Sequence, residues 1–131
     1  MSEHPAENSV THRRYVPFSH AHYAGDLVDG AYGLALFGDA ATDLAILLDG
    51  DEGLFASYDD VQFHAPVRAG DVVEVTARLV EAGRRSRRMA FTLHVVARGA
   101  ATPERPGRAL PLAEPILATS ARGTVVVPPP E

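Results

Sequence analysis

The sequence predicts an α+β domain in which one long central helix is wrapped by an antiparallel sheet of about five strands. Three observations carry this. Residues 28–48 form a long apolar run, interrupted but not ended by Gly30, Gly33, Gly38, Asp29, Asp39 and Asp43. Residues 72–82 and 86–98 alternate apolar with polar positions, the period of a half-buried strand. The helix is apolar on more than one face, so a flat sheet covers only part of it. Either the sheet curls round it or a second subunit completes the cover.

In chain order, residues 1–12 are expected as a disordered tail and 13–128 as a single domain. Residues 13–19 read as a first strand, which Pro17 pushes to a sheet edge. Residues 20–29 carry His20, His22, Tyr23, Gly25 and Asp26 and read as a loop. Asp26 or Asp29 then caps a helix starting near Gly30 and running to about Leu48. Asp49-Gly50-Asp51-Glu52-Gly53 ends it. A strand over 54–67 follows, irregular at Tyr58-Asp59-Asp60, then a hairpin turn at 69–71. Val73, Val75, Ala77 and Leu79 mark the inner face of the next strand, and Met89, Phe91, Leu93 and Val95 that of the one after. Residues 99–115 hold four prolines and read as an irregular excursion before a last strand at 116–127.

Composition narrows the chemistry. The 131 residues suffice for one core, and 46% hydrophobic and 22% charged residues are ordinary for a soluble globular domain. A net charge of −5 argues against nucleic acid as a partner. The start of the chain is polar, without the apolar segment of a signal peptide. The acidic residues and glycines inside 28–48 favour a buried helix over a membrane span. A cytoplasmic location is expected. There is no Cys and no Lys, because all twelve basic residues are Arg. That excludes thiolate, Schiff-base and P-loop lysine chemistry. For proton transfer there remain His, Asp, Glu and Tyr, of which only His titrates near neutrality without help. His20, His22 and His94 have no partner at a metal-ligand spacing, so no metal is expected.

Several segments carry a family resemblance. They are residues 22–31 (HYAGDLVDGA), 36–43 (LFGDAATD), 49–55 (DGDEGLF), 65–71 (APVRAGD), 86–89 (SRRM) and 121–128. Together they resemble the hotdog-fold 3-aminobutyryl-CoA and β-alanyl-CoA ammonia lyases, over most of the chain from His22 on. The long helix enclosed by sheet is itself a feature of that fold. Two positions depart from the lyase pattern: Asp43 stands where the lyases carry Glu, and His64 where they carry an apolar residue. A histidine there is similar to dual-function hotdog thioesterases, which add glycine to an α,β-unsaturated acyl thioester and then hydrolyse the thioester. In that group the segment matching Tyr58 to His64 binds the amino acid, and the pocket lacks a catalytic carboxylate.

Each candidate has a plainer reading beside it. His64 alone is commonly a solvated or internally satisfied histidine. Period-two alternation, however, projects it together with Gln62, opposite Val61 and Phe63, as a polar wall would require. With the resemblance it becomes the expected catalytic base, directly or through a water. Gly30 and Ala31 open the helix with unpaired N–H groups at the positive end of the dipole, which is true of any helix start; the resemblance implies that they stabilise a thioester oxyanion. Tyr58, Asp60, Gln62 and Tyr23 are the expected substrate-binding residues. Asp39 and Asp43 lie one helical turn apart. They are the alternative catalytic carboxylate, with an ion pair or cap as the plainer role. Arg84, Arg85, Arg87 and Arg88 cluster at a turn. Arg87 and Arg88 are the expected contacts for CoA phosphates or an acidic carrier protein, weighed evenly against a solvated hairpin.

The expected activity is addition of an amine, glycine first, to the β-carbon of an α,β-unsaturated acyl thioester, then hydrolysis to a β-amino acid. An ammonia lyase or a plain acyl thioesterase is the alternative. A non-catalytic acyl-thioester sensor ranks lower. No cofactor is expected beyond the CoA or acyl carrier protein that carries the acyl group. The expected assembly is a homodimer or larger, with no membrane partner.

Overall fold

The computed structural model describes residues 8–129, so most of the expected tail lies outside the described residues. The elements run β1 (Ser9–Tyr15), β2 (Ala21–Tyr23), β3 (Leu27–Val28), α1 (Gly30–Asp49), β4 (Leu54–Phe63), β5 (Val72–Ala82), β6 (Ser86–Gly99) and β7 (Ala109–Val126). Five strands form one antiparallel sheet in the order β1-β5-β6-β7-β4, and β2 with β3 makes a small ribbon before the helix. The expected α+β architecture is present. Its strand boundaries differ from those expected: β1 ends at Tyr15, and the expected loop at 20–29 holds the β2–β3 ribbon. Residues 9–12 belong to β1, because Ser9–Tyr15 pairs residue for residue with Arg78–Val72. The excursion is shorter than expected, because β7 starts at Ala109 and pairs with β6 through Pro111.

α1 starts where Asp29 caps it: its Oδ1 accepts from the Tyr32 N–H at 3.0 Å. It ends at Gly50, whose φ of 67° places it in the left-handed region that glycine tolerates. Length and composition alone would let α1 cross a membrane. Instead it lies on the sheet and buries Gly33, Phe37, Ala40, Ala41, Leu44 and Ala45, a single stripe at helical spacing. Its opposite row, Ala31, Ala35, Asp39 and Asp43, is exposed. The sheet thus covers one face of an apolar helix. Phe37 stacks on Phe91 at 5.1 Å in the core beneath it.

Two bulges shape β4. Ladder shifts fall between Phe55 and Ser57 and between Asp59 and Gln62, with Asp60 at φ 54°. An extra residue reverses the faces that follow, which is how both Tyr58 and Phe63 come to lie on the helix side. β4 ends at Phe63, so His64 stands just past the strand and not within it.

A buried ion pair secures the turn after β4. Asp71 is 1% exposed, and Arg98 donates to both its oxygens, at 3.0 and 2.8 Å. The same carboxylate accepts from Arg68 N, while Arg98 also donates to Pro66 O. Arg98→Ala would leave a buried carboxylate without its cation, so urea unfolding should show a loss of about 3 kcal/mol. An unchanged midpoint would mean that the pair does not hold the turn.

Candidate active site

A cavity of about 640 Å³ opens at the start of α1. Its wall is built from three segments. Tyr23 and Val28 come from the ribbon, Asp29 to Gly33 from the cap and first turn of α1, and Phe63 to Val67 from the end of β4 and its turn. Leu93 and Thr119, from β6 and β7, complete it. Backbone hydrogen bonds fix the segments to one another: Val28 N donates to Val67 O at 2.9 Å and Ala69 N to Asp26 O at 2.9 Å.

Gly30 and Ala31 both border this cavity, at the helix end where N–H groups lack intrahelical acceptors. A side chain at residue 30 is impossible without movement, because an added Cβ would lie 2.5 Å from the Phe63 ring. The absence of a side chain lets the aromatic ring rest on the helix start. Among the described residues Asp29 is the only carboxylate in the wall. Tyr32 packs against His20, with ring centroids 4.3 Å apart, and burial raises its phenol pKa against the lowering effect of Arg14.

His64 also borders the cavity, and its Nε2 lies 2.8 Å from Ser120 Oγ. Ser120 is flanked by buried Thr119 and Ala121, so strand alternation sets it on the outer face of the sheet, beside its cross-strand partner Gln62. His64 and Gln62 therefore do project together, as expected. The face they share is the outward one, and Gln62 is not in the cavity wall. Neither are Tyr58 and Asp60. The bulge turns Tyr58 into the core, where its hydroxyl donates to Leu34 O at 2.5 Å and its ring meets Phe55 and Phe91. Asp60 is exposed and accepts from Gln62 Nε2 at 3.2 Å. Of the expected binding residues, Tyr23 alone reaches the wall.

Residues 25–99 match the family model of the thioesterase superfamily. The chain belongs to that superfamily. Its fold is the hotdog fold. It is 50% identical to a 3-aminobutyryl-CoA ammonia lyase of Acetoanaerobium sticklandii over 110 residues, 82% of this chain and 85% of the relative. It superposes on the β-alanyl-CoA:ammonia lyase of Clostridium propionicum with a TM-score of 0.83 and 32% identity, covering 94% of this chain and 91% of that one. An acyl-CoA hydrolase of Staphylococcus aureus, solved with butyryl-CoA and CoA, shares the fold at a TM-score of 0.74 and 20% identity, covering 94% and 67%.

Within this superfamily member the remaining candidates lie away from the cavity. Asp43 Oδ2 accepts a hydrogen bond from His12 Nε2 at 2.7 Å, so it ties α1 to β1. Asp39 is exposed on the same helix row. Arg87 is committed to structure: it pairs with both oxygens of Asp49, at 2.9 and 2.8 Å, and donates to Gly83 O and Ser86 O. Asp49 is the last residue of α1, a helix length of about 30 Å from the cavity. Arg87 therefore cannot serve the cavity of its own chain. Arg88 reaches Asp59 and Thr124 at 3.4 Å each. Among the described residues no cluster of three or more His, Asp or Glu is placed to hold a metal ion.

Asp29, Tyr32, Phe63 and Thr119 enter the wall without having been expected there. Asp29 was legible as a cap. Thr119 was hidden in an apolar strand.

Burial, with a smaller effect from Asp39, pushes the Tyr58 phenol from 10.0 up to about 12. The unfolded chain ionises first, so this stabilisation is complete below about pH 10 and is lost as pH rises from 10 to 12. Tyr58→Phe should remove that part of the alkaline loss of stability in denaturation curves at pH 9 to 12. An identical alkaline slope in the variant would place Tyr58 in solvent.

Proposed function

We propose that this protein adds ammonia reversibly to the β-carbon of a short α,β-unsaturated acyl-CoA, as an ammonia lyase of the 3-aminoacyl-CoA type. The observation that carries this is the cavity at the start of α1, in a chain 50% identical to an enzyme of that name. The thioester carbonyl oxygen sits at the N–H groups of Gly30 and Ala31. There the helix dipole and two donors stabilise the enolate that forms when a nucleophile attacks the β-carbon. In elimination a base removes the α-proton. The double bond forms as the Cβ–N bond of the β-ammonium group breaks, and the nitrogen leaves as neutral ammonia with that electron pair. His64, in the cavity wall, is our proton acceptor, with Ser120 holding its ring through Nε2.

Glycine addition followed by hydrolysis is the competing reading, raised by the histidine at position 64. A bound glycine brings a carboxylate, and among the described residues the cavity wall holds no Arg to pair with it. The Tyr58 of the expected amino-acid segment is packed in the core. Both points favour ammonia as the amine.

The active form is at least a dimer. Among the described residues β4 pairs with β7 alone and forms an edge of the sheet. A second copy at that edge would cover Leu54 and Phe63, which are 78% and 60% exposed. Sedimentation should give a multiple of the chain mass, and a monomer at micromolar concentration would contradict this.

Crotonyl-CoA offered with ammonium should yield 3-aminobutyryl-CoA with the thioester intact, read by mass spectrometry. Offered with glycine it should yield no adduct. His64→Ala should slow the ammonia reaction by about a hundredfold or more. A glycine adduct released as free acid would establish the competing reading, and crotonate alone would leave a plain thioesterase.

A further inference from the structure

We propose that the hydroxyl of Thr119 forms the amine subsite, hydrogen-bonding the β-nitrogen of the substrate. The inference deepens the ammonia-lyase reading and rests on it. Thr119 and Asp71 are the buried polar residues among those described, and they differ in one respect. Asp71 has its acceptors filled by Arg98 and Arg68. Thr119 is 4% exposed, yet no protein group among the described residues hydrogen-bonds its hydroxyl. An apolar residue would suit such a site better, because burying a hydroxyl without a partner is destabilising. Thr119 instead helps to line the cavity.

Its position fits the β-nitrogen and not the carbonyl. Thr119 pairs across the sheet with Phe63, whose ring rests on Gly30. On the helix side its Oγ1 lies 3.8 Å from where a Cβ on Gly33 would stand. It therefore faces the helix one turn beyond Gly30, on the cavity floor beside Leu93. A carbonyl oxygen held at Gly30 and Ala31 leaves the acyl chain to run deeper, and the β-carbon is the second carbon beyond the carbonyl. A hydroxyl on the floor meets its substituent. It can accept a hydrogen bond from an ammonium or donate one to free ammonia, so it serves both directions of the reaction. Asp29, the carboxylate of the same wall, adds negative charge that favours a cationic nitrogen. The small floor at Gly33 and Leu93 suits a nitrogen bearing only hydrogens.

Binding without turnover tests this directly. The thioethers S-(3-aminobutyl)-CoA and S-butyl-CoA lack the carbonyl and cannot eliminate. The wild-type protein should bind the amine at least tenfold tighter. Thr119→Val should erase about tenfold of that preference while leaving S-butyl-CoA within twofold, and Thr119→Ser should restore it. A wild type without preference, a valine variant that keeps it, or equal loss of both ligands would overturn the proposal. Failure of the parent reading is separate: it would appear as no ammonia addition to crotonyl-CoA by the wild type.

Discussion

The buried pair of Asp71 and Arg98 is the constraint on which the site depends. Both Asp71 oxygens are taken by Arg98, and the carboxylate also holds Arg68 N. Arg98 in turn holds Pro66 O, a residue of the cavity wall. From this turn Val67 and Ala69 bond to Val28 and Asp26, the residues that lead into the cap of α1. An ion pair between the turn before β5 and the end of β6 thereby fixes the distance between the cavity wall and the first N–H groups of the helix. Stabilising a developing oxyanion demands such fixed donors, because donors that must reorganise lose their advantage.

The helix and the inner strands were legible because their signals are local. Asp29 and Gly50 bracket α1, and alternation in 72–82 and 86–98 survives unbroken through long stretches of β5 and β6. β4 was harder. Its bulges change which face each residue takes, and a bulge is set by pairing with β7 and not by its own sequence. Tyr58 consequently went to the core, and the polar pair Gln62 and His64 to the outer side of the wall. The start of β1 reads as a tail because its strand pairing is with β5, far away in the chain. Thr119 left no signal: a threonine in an apolar strand looks like ordinary strand chemistry until its burial and lack of a partner are seen together.

Charge was legible in amount but not in use. The arginine cluster looked free for phosphates, yet Arg87 is spent on Asp49 and two carbonyls at the far end of α1. Asp43, the alternative catalytic carboxylate, is spent on His12. Removing these leaves a cavity whose polar resources are few: helix N–H groups, one cap carboxylate, two tyrosines, one histidine and one threonine. Chemistry that polarises a carbonyl and handles one proton and one small amine fits that inventory.

In the proposed reaction the start of α1 polarises the thioester carbonyl. Butyryl-CoA labelled with ¹³C at that carbonyl reports it by NMR. Donors at Gly30 and Ala31 should move the bound carbonyl resonance clearly downfield of its position in water. A bound resonance at the aqueous position, or upfield of it, would contradict the account.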